Sequence, residues 1–281
     1  KDLYDADVII ITGLVNNFAY EEIIAQGASD FIEKPIRLAE IIARLKRVLL
    51  ERLNREKLKQ TAEKLRSNMV RFQKAMEGSV QAIALAVEMR DPYTSGHQNR
   101  VADLAGAIAR KMGLSEDRIY GLQMASVIHD LGKLTIPGEI LCKPGRLSGP
   151  EYEMIKTHAQ SGYDILKKID FPWPLADIVL QHHERMDGSG YPHGLSGDAI
   201  RMEARILSVA DVYETIGSHR PYRPSLGLKK AMGELTDNSG RLYDPAVVEA
   251  CLRLVNEYGY QFTGKGAMGK AAVVTTQMQS L

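Results

Sequence analysis

Histidines and acids recur in this 281-residue chain at positions where metal ions could bind. Two adjacent histidines, His182 and His183, precede Glu184 and a Gly-Ser-Gly turn that leads into Tyr191-Pro192. Neighbouring residues on a helix point about 100° apart, so we expect the two imidazoles to reach different ions of a site that holds two or more. The glycines would let the backbone turn sharply and approach a ligand. A polar helix end followed by a turn is the competing interpretation.

A second pair, His129-Asp130, falls at the predicted end of a helix and precedes Leu131-Gly132-Lys133. A carboxylate can bridge two metal ions while the neighbouring imidazole binds one of them. One such pair is weak evidence, but His97, His158 and Asp211 also stand in or beside predicted helices. A single histidine of this kind more often belongs to a protein core. The combination instead predicts a metal centre at which several helices converge.

The elements that must position these residues are mostly helical. From about 68 to 260 helices and loops alternate without a strand pattern, and Ser115 and Ser148 are typical helix caps. We predict helices at about 101–112, 174–184, 200–218, 226–236 and 245–258. The segment 261–281 is rich in Gly, Ala and Thr and has weak periodicity, so it is predicted to be a disordered tail.

The first fifty residues follow a different pattern. Val8 to Ile11 form a short β-branched apolar run, a helix is predicted over roughly 19–26, and Phe31-Ile32 forms a second short strand. A fourth element, a helix, begins at Leu38. The alternation of strands and helices predicts parallel strands in an α/β sheet.

Residues 38–90 are predicted to form one nearly uninterrupted helix. Its apolar residues recur in steps of four and three at Leu58, Ala62, Leu65, Met69, Phe72 and Met76, and Ile83 and Val87 resume the register. Such spacing over three to four heptads is typical of a coiled coil and predicts a parallel dimer stalk. The alternative is a long helix whose stripe packs on its own downstream domain.

Composition narrows the class of protein. The chain is 44% hydrophobic and 25% charged, which predicts a globular protein with a sizeable core and about two domains. A net charge of +1 argues against binding a nucleic-acid polymer through a broad basic surface. Two cysteines make no disulfide framework, which favours a reducing cytosol. No apolar run approaches the roughly 18 residues of a membrane span, and no signal peptide opens the chain, so we expect a cytoplasmic protein.

The ordered motifs of residues 68–260 resemble the HD-GYP family, bacterial phosphodiesterases of the HD superfamily that act on cyclic di-GMP. The motifs are Asp91-Pro92-Tyr93-Thr94-x-Gly96-His97, His129-Asp130-x-Gly132-Lys133, His158, His182-His183-Glu184-Arg185-x-Asp187-Gly188-x-Gly190-Tyr191-Pro192, Asp211-Val212-Tyr213 and Arg220-Pro221-Tyr222-Arg223-Pro224. The Gly-Tyr-Pro signature is highly specific to that family.

Residues 1–50 resemble the last third of a response-regulator receiver domain. In that resemblance Thr12 is the switch hydroxyl, and Lys34-Pro35 are the lysine and cis-proline after the last strand. The phosphoacceptor aspartate of such domains is not in this sequence. The two resemblances imply a mainly α protein, in which a C-terminal fragment of an α/β receiver domain and a long coiled-coil helix precede an all-helical HD-type bundle.

The HD-GYP resemblance implies a set of metal ligands. They are His97, His129, Asp130, His158, His182, His183 and Asp211. Oxygen and nitrogen ligands without thiolate suit iron or manganese, and two divalent transition-metal ions are expected. Relatives with three ions use a glutamate four residues before the first histidine, where this chain has Tyr93. A binuclear centre is therefore predicted, with Glu184 and Asp91 as alternative ligands for a third ion.

Other residues are expected to act on the substrate. Lys133 and Asp130 are the candidate catalytic residues, with Lys133 near the phosphate oxygens; an ordinary surface lysine at a helix end is the alternative. Arg220 and Arg223 could bind phosphates bidentately. The substrate-facing turn is expected to be formed by Gly190, Tyr191 and Pro192, with Tyr191 stacking on a guanine. Asp187 could serve acid–base catalysis or orient a ligand.

The predicted function is hydrolysis of cyclic di-GMP to pGpG and onward to GMP, by the output domain of a two-component response regulator. The partners implied are an upstream histidine kinase that acts through the receiver domain, GGDEF-type proteins and a second copy of the chain, without a membrane. Two alternatives stay open. One is a non-catalytic sensor of cyclic dinucleotides or interaction module, and the other is a phosphodiesterase for a related cyclic or linear dinucleotide.

Overall fold

In the computed structural model, residues 7–13, 24–25, 27–90, 96–218 and 227–258 are described. Contacts divide the chain into two compact units, residues 1–74 and 75–281. The described residues form two β-strands and nine α-helices, which confirms the predicted mainly α class. The helix predicted at 19–26 lies mostly outside the described residues, and the tail at 261–281 lies outside them completely.

The first unit contains the two strands, β1 (Ile9–Thr12) and β2 (Asp30–Glu33), which pair in parallel as predicted. Asp30 is buried, and its two carboxylate oxygens lie 2.9 Å from Arg44 Nη1 and 2.6 Å from Arg47 Nη2. These ion pairs join β2 to the helix that follows. The Lys34-Pro35 peptide bond between them is cis, as expected.

The helix α1 (Leu38–Arg90) has 53 residues, and its apolar stripe changes character along its length. The side chains of Leu58, Leu65, Met69 and Phe72 are each between 61% and 74% exposed. Val80, Ala84 and Val87 are instead buried in the core of the second unit. Ile83 is 39% exposed, whereas Val87, which the sequence places in the same register, is buried. A helix of 3.6 residues per turn drifts relative to a seven-residue repeat, which brings a neighbouring face onto the core.

The second unit is a bundle of helices around one hydrophobic core. Its helices are α2 (His97–Lys111), α3 (Glu116–Ile128), α4 (Gly138–Leu141), α5 (Gly149–Leu166), α6 (Leu175–Gln181), α7 (Met202–Gly217), α8 (Leu228–Asp237) and α9 (Pro245–Tyr258). Short 3₁₀ helices span Leu131–Thr135 and Gly197–Ala199. Helix α2 packs on α3, α7 and α9, while α5 packs on α6 and on the first 3₁₀ helix. No helix in the described ranges is long and apolar enough to cross a membrane.

The helices begin and pack as their sequences dictate. Val101, Leu104, Ala105 and Ile108 recur on one face of α2 and are fully buried. Helix α3 begins after Ser115, whose hydroxyl accepts a hydrogen bond from the backbone N–H of Arg118. Ser148 and Glu151 form a reciprocal capping box at the start of α5.

A close approach between two backbones brings the His129-Asp130 pair beside α5. A Cβ atom on Gly132 would lie only 1.9 Å from the carbonyl oxygen of His158 and 2.6 Å from the amide nitrogen of Gly162. Only glycine allows the first 3₁₀ helix to touch α5 so closely. The short distance between the residues after α3 and His158 follows from this contact.

The exposed stripe of α1 leads to a prediction about assembly. We expect the full chain to sediment as a dimer at tens of micromolar, because pairing would bury Leu58, Leu65, Met69 and Phe72. Met69→Lys should shift the protein towards monomer, since a charge in the seam must be desolvated. Gln60→Lys adds the same charge at an exposed position outside the stripe and should leave the dimer intact. A monomeric wild-type protein at that concentration would count against the coiled coil.

Candidate metal centre

The seven residues predicted as metal ligands come together in the second unit. His97 begins α2, His129 and Asp130 follow α3, His158 lies in α5, His182 and His183 follow α6, and Asp211 lies in α7. Their ligand atoms form three overlapping groups, each within 4.8 Å: His97, His129 and Asp211; His129, Asp130 and His182; His158, His182 and His183. The middle group shares a residue with each of the others. The seven side chains therefore form one continuous cluster.

Three of the histidines are oriented by the same backbone contact. In each ring Nδ1 lies against the carbonyl oxygen three residues earlier, at 2.7 Å for His129, 2.7 Å for His158 and 2.5 Å for His182. A carbonyl oxygen only accepts hydrogen bonds, so Nδ1 carries the proton and donates it. The other nitrogen, Nε2, then has a lone pair available for a metal ion.

Two of these Nε2 atoms face each other. His158 Nε2 and His182 Nε2 are 3.3 Å apart. Burial lowers the pKa of His182 to about 3 and also lowers the pKa of His158, so both rings are neutral at neutral pH. Two lone pairs at this distance repel each other unless a cation lies between them. Imidazole nitrogens bound to one ion at about 2 Å lie roughly 3 Å apart, so this donor set fits a metal ion.

Asp130 occupies the middle of the cluster. Its Oδ1 is 3.7 Å from His158 Nε2, and its Oδ2 is 3.6 Å from His129 Nε2 and 2.8 Å from Lys133 Nζ. Burial opposes ionisation of Asp130, but Lys133 and the neighbouring imidazoles outweigh it and hold its pKa well below the usual value. An ionised carboxylate that faces ligands on two sides suits a bridging position between two ions. The ammonium group of Lys133 lies beside the same carboxylate.

His97 is held by an acid that sequence reasoning missed. Its Nε2 lies 3.2 Å from Asp211 Oδ1, and its Nδ1 makes a short hydrogen bond with the buried carboxylate of Glu214. Arg100 Nη2 pairs with the other oxygen of Glu214 at 2.6 Å. Glu214 follows Asp211 by three residues and Arg100 follows His97 by three, which places each pair on one helix face. That spacing is the signal that could have revealed both residues.

The charges around His97 favour a cation. Burial lowers the pKa of His97, but the hydrogen bonds to Asp211 and Glu214 outweigh it and raise the pKa to about 9. Burial likewise opposes ionisation of Glu214, but the hydrogen bond from His97 lowers its pKa to about 2. The ring therefore keeps a proton between two carboxylates. A metal ion would replace the proton on Nε2, while Glu214 would still orient the ring through Nδ1.

His182 and His183 lie together rather than on separate sides. Helix α6 ends at Gln181, and the two ring centroids are only 3.9 Å apart. Both rings belong to one group with His158. His182 also belongs to the group with His129 and Asp130, so the expectation that the two imidazoles reach different ions stays a prediction. The ring of Tyr191 stacks on His183, with centroids 4.7 Å apart and planes at 30°.

Glu184 holds the loop that carries the Gly-Tyr-Pro segment. Its two carboxylate oxygens accept hydrogen bonds from the backbone N–H groups of His193, at 2.8 Å, and Leu195, at 2.9 Å. The suggestion that Glu184 could bind a third ion is therefore not supported by its position. Gly190 passes so close that a Cβ atom there would lie 2.4 Å from Glu184 Cα. The other candidate ligands of a third ion, Asp91 and Tyr93, lie outside the described residues.

The remaining candidates divide into those with contacts and those outside the described residues. Asp187 Oδ1 accepts hydrogen bonds from the Ser189 backbone at 3.0 Å and from its hydroxyl at 2.6 Å, so this carboxylate fixes its own turn. The following Tyr191-Pro192 peptide bond is cis, a feature that the sequence analysis did not predict. Arg220 and Arg223 fall outside the described residues, and their roles stay predictions.

The contact between Glu214 and His97 predicts an effect on metal affinity. Glu214→Gln keeps an oxygen that can accept a hydrogen bond from His97 but removes the charge, so we expect Mn²⁺ to bind at least about tenfold more weakly. Titration of the metal-free protein with Mn²⁺ measures this, with thermal unfolding as the check on folding. Glu153→Gln, at an exposed position of α5, should bind Mn²⁺ like the wild type. Equal affinity in the two variants would show that Glu214 does not orient His97.

The residues of the cluster lie within a region that matches a known protein family. The sequence profile of the HD domain matches residues 81–247, more than half of the chain. The chain is 38% identical over 255 residues to the cyclic di-GMP phosphodiesterase response regulator RpfG of Xanthomonas campestris pv. campestris, a match that covers 89% of this chain and 68% of that protein. It is 36% identical over 189 residues to the 3'3'-cGAMP-specific phosphodiesterase 3 of Vibrio cholerae serotype O1, which covers 67% of this chain and 41% of that protein.

A solved structure has the same fold. The crystal structure of the cyclic GMP-AMP specific phosphodiesterase V-cGAP3 of V. cholerae superposes with a TM-score of 0.50, over 63% of this chain and 47% of that one, at 21% identity. This likeness concerns the fold alone. The profile and the sequence relatives show that the chain belongs to the HD domain family, as an HD-GYP phosphodiesterase.

Proposed function

We propose that this protein hydrolyses cyclic di-GMP at a centre of two divalent transition-metal ions held by the seven clustered ligands. The observation that carries the proposal is the pair of neutral imidazole nitrogens, His158 Nε2 and His182 Nε2, which face each other at 3.3 Å beside the ionised Asp130. Oxygen and nitrogen donors without thiolate favour iron or manganese. The name of the 38% identical relative supports cyclic di-GMP as the substrate.

The residues of the chain have separable roles in this reaction. Two bound metal ions would supply a hydroxide at neutral pH and neutralise the phosphodiester. Asp130 would be among the residues that hold them, and Lys133, whose Nζ is 2.8 Å from Asp130 Oδ2, would donate hydrogen bonds to a non-bridging phosphate oxygen. Attack of this hydroxide on phosphorus forms one P–O bond and breaks the bond to the 3′ oxygen, which leaves with the electron pair and takes up the proton released from the water. Opening of the ring yields pGpG, and a second hydrolysis yields GMP.

The substrate is proposed to enter beside the Gly-Tyr-Pro segment. Tyr191 stacks on His183 and so lies at the edge of the cluster of proposed metal ligands, while Gly190 and Pro192 shape the turn. An aromatic ring in this place can stack on a guanine base. Arg220 and Arg223 are proposed to bind the phosphates of the dinucleotide bidentately.

We also propose the signalling context predicted from the sequence, a cytoplasmic response regulator in which 1–50 is part of a receiver domain, α1 a dimer stalk and 68–260 the phosphodiesterase. The parallel pairing of β1 and β2 and the response-regulator name of the relative support it. An upstream histidine kinase would be the input and GGDEF-type proteins would be partners.

Product analysis tests the proposed activity. After anaerobic reconstitution with Fe²⁺ or Mn²⁺, we expect the protein to convert cyclic di-GMP to pGpG and GMP, resolved by chromatography. The double variant His129→Ala/Asp130→Ala removes the shared centre of the ligand groups and should neither bind metal nor turn over substrate. His193→Ala changes an exposed histidine outside the cluster and should behave like the wild type. Activity retained by the double variant would disprove the metal mechanism.

The same assay separates the alternatives. Hydrolysis of 3'3'-cGAMP in preference to cyclic di-GMP would assign the specificity named for the 36% identical relative. Hydrolysis of pGpG alone would identify a linear substrate. Tight binding of cyclic di-GMP without hydrolysis, in a protein that holds its metals, would support the sensor.

Lys133 has its own test. Lys133→Ala should retain the metal ions and lower kcat by about a hundredfold, because a donor aimed at the developing charge is lost. Metal content and product formation are measured on the same preparation. Lys167→Ala is the control. It removes a lysine that forms a surface ion pair with Asp164 at the C-terminal end of α5, and it should leave kcat unchanged. Unchanged turnover in Lys133→Ala would remove its proposed role.

A further inference from the structure

Two polar side chains in the last turn of α1 bind the backbone next to metal-centre residues. The first is Glu88, whose Oε1 accepts a hydrogen bond from the backbone N–H of Gly96 at 3.0 Å. Gly96 is the N-cap of α2, has a positive φ of 68°, and directly precedes His97. The carboxylate therefore fixes the backbone from which a proposed ligand projects.

The second side chain is Arg90, the last residue of α1. Its guanidinium donates to the carbonyl oxygens of Leu134, at 2.5 Å, and Ile136, at 3.3 Å. These carbonyls belong to the 3₁₀ helix Leu131–Thr135 and its C-cap. That short element follows Asp130 directly and contains Lys133. The two nitrogens of one guanidinium thus hold two carbonyls of the turn that follows Lys133.

Two further contacts fix the position of the end of α1. Val87, one residue before Glu88, is 1% exposed in the core, and the thiol of Cys142 lies 3.7 Å from the carbonyl oxygen of Arg90. Glu88 and Arg90 extend from this anchored turn to two segments that are separated by more than thirty residues of sequence. One helix end consequently touches the backbone beside a proposed ligand and the backbone beside the proposed phosphate donor.

We infer that Glu88 and Arg90 are positioning residues for the metal centre, Glu88 through His97 and Arg90 through Lys133. The inference rests on the proposed function and assigns to α1 a part in it. A displacement of the helix end would move a ligand and a substrate-binding group together. The two residues should leave different signatures, because His97 is proposed to hold metal and Lys133 is not.

For Glu88 the decisive comparison is between alanine and glutamine. Glu88→Ala removes the acceptor for Gly96 N–H, so we expect Mn²⁺ affinity to fall about tenfold and the visible spectrum of the Co²⁺-loaded protein to change. Glu88→Gln retains a carbonyl oxygen at the same distance along the side chain, so it should restore the Mn²⁺ affinity and the Co²⁺ spectrum. Glu63→Ala, at an exposed position of the same helix, is the matched control. Wild-type metal affinity and spectrum in Glu88→Ala would overturn this half of the inference.

For Arg90 the decisive readout is kcat at unchanged metal content. Arg90→Ala frees both carbonyls, so we expect kcat to fall at least about tenfold while KM and bound metal stay near wild type. Arg90→Lys can hold only one carbonyl at a time, so its kcat should lie between those of the wild type and Arg90→Ala. Arg71→Ala, exposed on α1, is the control. A lower melting temperature with wild-type kcat would reduce Arg90 to a structural tie and overturn its assignment.

Two different substrates distinguish a failure of the proposed function from a failure of the inference about Glu88 and Arg90. Turnover is measured with cyclic di-GMP and with bis(p-nitrophenyl) phosphate, a chromogenic phosphodiester without bases. Hydrolysis of the second substrate alone would disprove the proposed specificity but leave the Arg90 comparison valid. The Glu88 comparison depends on metal binding and not on either substrate. A wild-type protein that binds metal but hydrolyses neither compound would overturn the assignment of Arg90 and leave that of Glu88 to be decided by the metal titration.

Discussion

The repulsion between buried imidazole nitrogens is the constraint on which the second unit depends. His158 and His182 each use Nδ1 to donate to the backbone, so their Nε2 lone pairs face each other at 3.3 Å. Burial keeps both rings neutral, and protonation cannot relieve the repulsion near neutral pH. A cation between the two nitrogens would relieve the repulsion. The packing of this unit therefore brings together a buried donor set that suits a metal ion.

The rest of the bundle holds the ligands in that arrangement. The seven side chains come from five separate places in the chain, so their separations depend on how closely the helices pack. Gly132 permits contact with the backbone of α5, and Gly190 permits the Gly-Tyr-Pro loop to pass against Glu184. Buried acids then fix what the packing has brought together, with Glu214 orienting a ring and Glu184 binding a loop. Packing sets the distances and charge sets the orientations.

The seven proposed metal ligands could be selected from the sequence, whereas the residues that support them were not. Histidine and aspartate in this order have few structural explanations, and together with the family resemblance they indicated seven side chains that the structure brings into one cluster. Glu214 and Arg100 follow Asp211 and His97 by three residues, but such spacing is common on helix surfaces. The burial of Glu214 against His97 and its ion pair with Arg100 show what the two residues do. The close approach of the His182 and His183 rings just after α6 likewise had no signal in the sequence. In α1, the spacing alone did not show that Val80 and Ala84 would be buried while Ile83 is partly exposed.

Hydrolysis and base recognition are separable in this fold. The metal cluster and Lys133 would meet the phosphodiester, which cyclic dinucleotides with different bases share, and relatives named for two different cyclic dinucleotides match the same region of this chain. On the proposed function, a cluster that acts on this shared group would not itself select a base. Selection would then come from side chains at the edge of the site, such as Tyr191, whose ring already contacts His183 and has Lys156 Nζ 5.7 Å from its centroid. Because these groups are not among the seven proposed ligands, we would expect substitution at the edge to change the substrate while the ligands stay the same.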